Sequence, residues 1–150
     1  MKQILRLVLI SVIAVKPYAS FAETSNLDSS QQLQLNVGQT KLWLEDHNGT
    51  CHAIASTEQG STAQHVLGIP WPCHFHTDRT GNIRTLQEGG YVYALVESSR
   101  RVAQLSHDCE TYLQSIRVRG ASIEVSQHKD RVASCPPFQW DSVLFKELFN

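Results

Sequence analysis

The order of apolar and polar positions predicts a domain built mainly of antiparallel β-strands. After residue 31, alternation of apolar and polar side chains dominates, which is the spacing of a strand with one buried face. Turn-forming residues interrupt this alternation about every 8–12 residues, as they do in β-sandwiches and small barrels. We therefore expect an all-β fold, either an antiparallel sandwich or a small barrel.

The dipeptide Asn48-Gly49 predicts a hairpin, because both residues tolerate the positive φ angles of a type I′ turn. Pairing about this turn places Leu44 opposite Ala53, and Asp46 opposite Cys51. The inner face of the hairpin then carries Leu42, Leu44, Cys51, Ala53 and Ala55, and the outer face carries Trp43, Glu45 and His52.

The run Tyr91–Val96 is the expected central strand, because it is aromatic and β-branched without a polar interruption. Before it, a strand over Cys73–Thr77 is expected to turn at Asp78–Gly81 and to return over Ile83–Leu86. Gly120-Ala121 fits a two-residue type II′ turn between two later strands. These strands and turns all belong to one antiparallel arrangement.

Two polar stretches, residues 56–63 and 128–130, predict connections rather than strands. At the C-terminal end the spacing changes to that of a helix, with an apolar stripe formed by Leu144, Phe145 and Leu148. Asp141 is expected to cap this short helix.

The first 22 residues have the composition of a secretory signal peptide. Lys2 and Arg6 precede the apolar run Leu7–Val15, and small residues occupy both cleavage positions of Ser20-Phe21-Ala22. We expect cleavage before Glu23, a flexible lead-in over residues 23–31, and a single β-rich domain over residues 32–150.

The apolar run is shorter than the ~20 residues of a membrane span, so we expect no membrane insertion after cleavage and a periplasmic or secreted protein. Removing the signal leaves 128 residues, about one domain. It also removes 3 of the 13 basic residues, leaving 10 against 14 acids and a formal charge of −4. This charge disfavours nucleic acid as a partner.

All four cysteines lie in the expected mature chain, which indicates two disulfides in an oxidising compartment. Three pairings are possible. We favour Cys51–Cys73 with Cys109–Cys135, because each pair encloses a segment expected to form a hairpin. The spacing contains no Cys-x-x-Cys pair, which disfavours a zinc–thiolate site.

His74 and His76 are the sharpest candidates for metal chemistry, since alternate residues of a strand point to the same side. Such an exported pair suits copper or zinc. A structural site needs three or four ligands, however, and the spacing supports only two. We therefore expect no metal and no other cofactor, with both histidines on an exposed face and Phe75 inside.

Catalytic motifs are also missing from the sequence: no Gly-x-Ser-x-Gly elbow is present, and nothing singles out a pair among the carboxylates. We expect a protein that is not an enzyme. Arginine outnumbers lysine in the mature chain, as is favoured at desolvated protein interfaces; the arginines are Arg79, Arg84, Arg100, Arg101, Arg117, Arg119 and Arg131.

Trp71 lies between Pro70 and Pro72 and two residues before Cys73, so it is the expected rigid anchor of a binding surface. The candidate partner-binding residues are Trp71, His74, His76, Arg79 and Arg84. The resulting hypothesis is an exported protein-binding domain that acts as an inhibitor or immunity protein against a cell-envelope-active enzyme or toxin. The alternatives are a periplasmic copper- or zinc-binding protein that uses the two histidines, and an accessory subunit of an envelope complex.

Overall fold

The structure, a computed structural model, describes residues 33–103 and 107–150, in which nine strands and one short helix form. The expected signal peptide and lead-in lie outside the described residues. The first strands are β1 (Leu35–Val37), β2 (Thr40–His47), β3 (Thr50–Thr57), β4 (Thr62–Pro70) and β5 (His74–Phe75). The others are β6 (Thr85–Glu88), β7 (Tyr91–Arg101), β8 (Cys109–Arg119) and β9 (Ser122–Val132), followed by the helix α1 (Leu144–Glu147).

The strands form two antiparallel sheets, which confirms the predicted all-β class. One sheet has the order β1-β2-β3-β4, and the other has the order β5-β7-β8-β9 with β6 also paired to β7. Strand β7 has β8 along one edge and β5 and β6 along the other. The predicted central strand is therefore confirmed, although it continues past Val96 to Arg101.

The first hairpin has the predicted register, with Leu44 opposite Ala53 and Asp46 opposite Cys51. Both turn residues adopt positive φ angles, 55° at Asn48 and 80° at Gly49, as a type I′ turn requires. Its predicted inner face is buried. The β8–β9 turn also agrees with the prediction, since Gly120 has a φ of 59°.

Apolar side chains fill the space between the two sheets. Alternate residues of β2 and β3 meet Phe75, Val96 and Ile116 from the other sheet. The opposite face of β7 and β8 is covered by the C-terminal segment, where Leu95 packs in one cluster with Phe145. Strand β7 is thus buried on both faces, which explains why its sequence lacks the alternation of the other strands.

Both disulfides have the expected pairing. Cys51–Cys73 joins β3 to the chain just before β5 and so links the two sheets, and Cys109–Cys135 joins the start of β8 to the segment after β9. Two disulfides indicate an oxidising, extracellular-type compartment. Among the described residues, no helix is long and apolar enough to cross a membrane.

Thiol labelling tests this pairing. We expect no cysteine to react with an alkylating reagent before reduction and all four to react afterwards, because the structure contains no free cysteine. Intact mass of the exported protein, with and without reductant, measures both quantities. Labelling of two or more thiols without reductant would contradict the structure and the assignment to an oxidising compartment.

Two predicted connections are shorter than expected or absent. Within the stretch 56–63 only residues 58–61 connect the strands, because Thr62 already pairs with Ser56 and Gln64 with Ile54 in the β3–β4 ladder. Residues 128–130 are not a turn but part of β9, with Lys129 opposite Gln114. In both places strand pairing holds polar residues extended against their local preference for turns.

The helix is confirmed, but its predicted cap is displaced. Val143 is the N-cap of α1, with no side-chain capping bond. The Asp141 carboxylate instead accepts the backbone N–H of Val143 at 3.0 Å, in the turn before the helix. Phe145 and Leu148 are buried, and Leu144 is half-buried against the same cluster.

Candidate functional site

A groove of about 650 Å³ lies where the histidine-containing segment meets the C-terminal segment. One side is formed by His74 and residues 76–79, and the other by Pro136–Gln139. Glu97 of β7 also lines the groove and is almost fully buried. The groove therefore has a carboxylate at its base and polar and aromatic side chains around it.

Strand pairing places the carboxylate beside the histidines. His74 lies directly opposite Glu97 in the β5–β7 ladder, and the backbone N–H of His76 donates to the Leu95 carbonyl at 2.8 Å. Because side chains alternate along a strand, Glu97 shares a face of β7 with Leu95 and Tyr93. This is the face that the C-terminal segment covers, so the carboxylate lies at the edge of a buried cluster.

Three groups hydrogen-bond the Glu97 carboxylate. His74 Nε2 and His76 Nδ1 each lie 3.2 Å from Oε1, and Trp140 Nε1 donates to Oε2 at 2.9 Å. Burial on its own raises the pKa of Glu97, but the hydrogen bonds from His74, Trp140 and His76 outweigh it and hold the pKa below the ordinary 4.5. The groove is thus built over an ionised, fully paired carboxylate.

The contact with Glu97 determines which ring nitrogen of His76 carries a proton. An ionised carboxylate can only accept hydrogen bonds, so the Nδ1 that faces Glu97 carries a proton. The other ring nitrogen, Nε2, is buried and has no hydrogen-bond partner among the described residues. Only 1% of the His76 side chain is exposed, whereas 52% of the His74 side chain is. His74 is therefore the histidine that a molecule in the groove can reach.

The C-terminal wall is fixed to the sheet by its polar contacts. The Arg84 guanidinium donates to the Trp140 carbonyl and lies 5.9 Å from the centre of the Phe145 ring. Phe138 stacks on Trp140 with ring centroids 5.2 Å apart. Gln139 Nε2 donates to the Thr77 carbonyl at 3.4 Å, across the groove. This wall does not depend on the short helix alone.

A tight turn forms the opposite rim. The Asp78 carboxylate accepts hydrogen bonds from the hydroxyl and backbone N–H of Thr80 and from the backbone N–H of Asn82, at 2.6–3.0 Å. The bond from the Thr80 hydroxyl, followed by that from Asn82, lowers the pKa of Asp78. The turn leaves the Arg79 side chain exposed on the rim.

Of the five predicted partner-binding residues, His74, His76 and Arg79 line this groove. The expectation of two exposed histidines is wrong for His76, because the C-terminal segment covers its face of the sheet. Trp71 is half-buried and packs against the core between the sheets, and Arg84 is half-buried beneath the C-terminal wall. Neither of the last two lines the groove.

Within the described part of the chain, no group of three or more His, Cys, Asp or Glu residues is arranged to hold a metal ion. The chain matches no protein family, no curated protein and no solved structure. Its chemistry has to be argued from its own residues.

Glu97 is a residue of the site that the sequence analysis did not single out among the carboxylates. The available signal was its position, since it follows directly on the apolar run Tyr91–Val96. An acid that continues a doubly buried strand is expected to have a specific partner, because a buried charge is costly without one. No sequence pattern indicates that Trp140 donates a hydrogen bond to Glu97, because the two residues are far apart along the chain.

Proposed function

We propose that this protein is a periplasmic or secreted protein-binding domain, an inhibitor or immunity protein whose groove receives a loop of a cell-envelope-active enzyme or toxin. The observation that carries the proposal is the groove held rigid around Glu97. Its walls are fixed by hydrogen bonds before any partner arrives, so binding orders few additional groups. No catalytic role is assigned to any of its residues.

The chemistry of the rim suits a protein loop. Phe138 presents an aromatic ring, Arg79 a cation and His74 a polar ring, so apolar and polar contacts alternate over a short distance. Aromatic and arginine side chains of this kind are enriched among the residues that dominate binding energy at protein interfaces. Trp71 has a supporting role in this proposal, because it is half-buried against the core between the sheets and does not line the groove.

Export supports the choice of partner. The two disulfides suit the compartment in which envelope enzymes and secreted toxins act. The sequence of residues 1–22 independently predicts export.

Substitution of Phe138 tests the groove as the binding surface. We expect Phe138→Ala to weaken capture of the partner by roughly tenfold or more, because it removes the exposed ring of the rim. Val66→Ala is the matched control, since Val66 is also an exposed apolar residue (62% exposed, against 39% for Phe138) but lies on β4 of the other sheet. The mature domain serves as bait in an envelope extract, and affinity for the captured protein is then measured by calorimetry.

The activity of the captured protein shows whether the domain inhibits it or only binds it. We expect an equimolar amount of the domain to suppress the enzymatic or toxic activity of the captured protein, and Phe138→Ala to suppress it less. Full activity in the complex, or equal affinity for both variants, would refute the proposal. Copper or zinc bound stoichiometrically to the purified domain would favour the metal-binding alternative instead.

A further inference from the structure

We propose that a second concave surface, formed by Arg100, Arg101 and Arg131, binds a phosphoryl dianion. It is a pocket of about 520 Å³ at the end of the five-stranded sheet, where β7 and β9 end and β8 begins. The proposal is independent of the groove around Glu97, because the two sites share no lining residue.

Glu110 holds two of the three arginines in place. Arg100 Nε donates to Glu110 Oε2 at 2.8 Å, and its Nη2 binds the same oxygen. Arg131 Nη1 and the Tyr112 hydroxyl donate to the other oxygen, Oε1, at 3.1 and 2.8 Å. The carboxylate therefore bridges arginines from the two strands that flank its own, and it fixes one edge of each guanidinium.

The arginines retain unused donors after these contacts. A guanidinium has more N–H groups than one carboxylate oxygen engages, so Arg100 and Arg131 both keep N–H groups for a ligand. The Arg101 side chain makes no hydrogen bond or ion pair in the described part of the chain, and Arg101 also lines the pocket at the end of β7. The pocket lining thus carries three positive charges and the single negative charge of Glu110.

The excess of positive charge selects the ligand. A phosphoryl group is tetrahedral, carries about 1.5 to 2 negative charges at neutral pH and offers several acceptor oxygens to separate guanidinium groups. A single carboxylate is planar and has one negative charge, which leaves part of the excess unmatched. The ligand is therefore a phosphoryl dianion. Free phosphate and the headgroup of a phosphomonoester lipid both present this group.

Arg101→Gln is the informative substitution, because Arg101 takes no part in the Glu110 network and its loss leaves that network intact. Arg119→Gln is the matched control: it removes the same charge from the opposite end of β8, about nine residues or roughly 30 Å away along the strand. Thermal melts of both variants check that the fold is retained.

The probes are inorganic phosphate in one arm, and phosphatidylcholine vesicles with and without phosphatidic acid in the other. Backbone amide shifts of residues 100–102, 110 and 131 report binding, against chloride at the same ionic strength. We expect saturable shifts in at least one arm, with a Kd that rises about tenfold in Arg101→Gln and stays unchanged in Arg119→Gln. The arm that saturates identifies the source of the phosphoryl group.

Two results overturn the proposal. Equal weakening by Arg101→Gln and Arg119→Gln would show that only the net charge attracts the anion. A lack of saturable shifts in both arms would show that the three arginines serve the ion-pair network alone.

Discussion

Leu95→Ala is expected to lower the free energy of unfolding by about 2–5 kcal/mol. Leu95 is fully buried at the centre of β7, in the cluster that joins the five-stranded sheet to the C-terminal segment. Shortening it removes favourable burial and leaves a cavity beside Phe145, which the rigid sheet cannot fill by relaxing. The measurement is urea denaturation followed by tryptophan fluorescence, with the midpoint and the slope fitted separately.

Val102→Ala is the control for this prediction. Val102 follows β7 directly and is exposed, so the same kind of truncation should change stability by less than about 0.5 kcal/mol. An unchanged midpoint for Leu95→Ala would mean that β7 is not the core of the domain. A loss confined to Leu95→Ala supports the assignment of β7 as the doubly covered central strand.

The strands could be predicted where the local sequence alone determines the backbone conformation. Asn48-Gly49 sets the register of the first hairpin through its backbone angles, and the uninterrupted apolar run Tyr91–Val96 identifies a strand buried on both faces. The residues of 56–63 and 128–130 favour turns, so the sequence predicts too long a connection at the first stretch and a turn at the second, where β9 continues. Hydrogen bonds to a neighbouring strand decide their structure, and the identity of that neighbour is a property of the whole sheet.

The candidate site was predictable only in part for the same reason. The spacing of His74 and His76 indicates two side chains that act together, and both do contact one carboxylate. Which carboxylate they contact depends on β5 pairing with the middle of β7, a register that no local pattern specifies. The burial of His76 depends in turn on the C-terminal segment folding back over the sheet.

Glu97→Gln is expected to destabilise the protein by about 1–3 kcal/mol at neutral pH. The substitution keeps the size of the side chain but removes the charge that three donors share: the rings of His74, His76 and Trp140. An amide oxygen replaces the carboxylate, and its NH₂ group faces groups that are themselves donors. Glu88→Gln is the control, because Glu88 forms an exposed pair with Lys146 at 2.8 Å and such pairs contribute at most about 1 kcal/mol.

The pH dependence of stability distinguishes loss of the Glu97 charge from loss of packing. The folded-state pKa of Glu97 lies below its ordinary 4.5, so the ionised carboxylate contributes stability above pH 4.5 and loses that contribution as the pH falls through the folded-state pKa. The amide of the variant resembles the protonated carboxyl. The wild-type and Glu97→Gln curves should therefore converge as the pH falls from 4.5 through the folded-state pKa of Glu97.

The stability of both proteins also falls with acid for a reason that they share, because the pKa values of Asp78 and Glu110 are lowered as well. The test is thus the difference between the two curves, obtained from urea denaturation at a series of pH values from neutral to below 4.5. Parallel curves would mean that Glu97 is held by its shape alone and that its charge does not stabilise the groove. Convergence of the two stability curves would mean that protonating Glu97 has the same effect as replacing it with Gln. That result supports a groove whose walls are held by the ionised carboxylate.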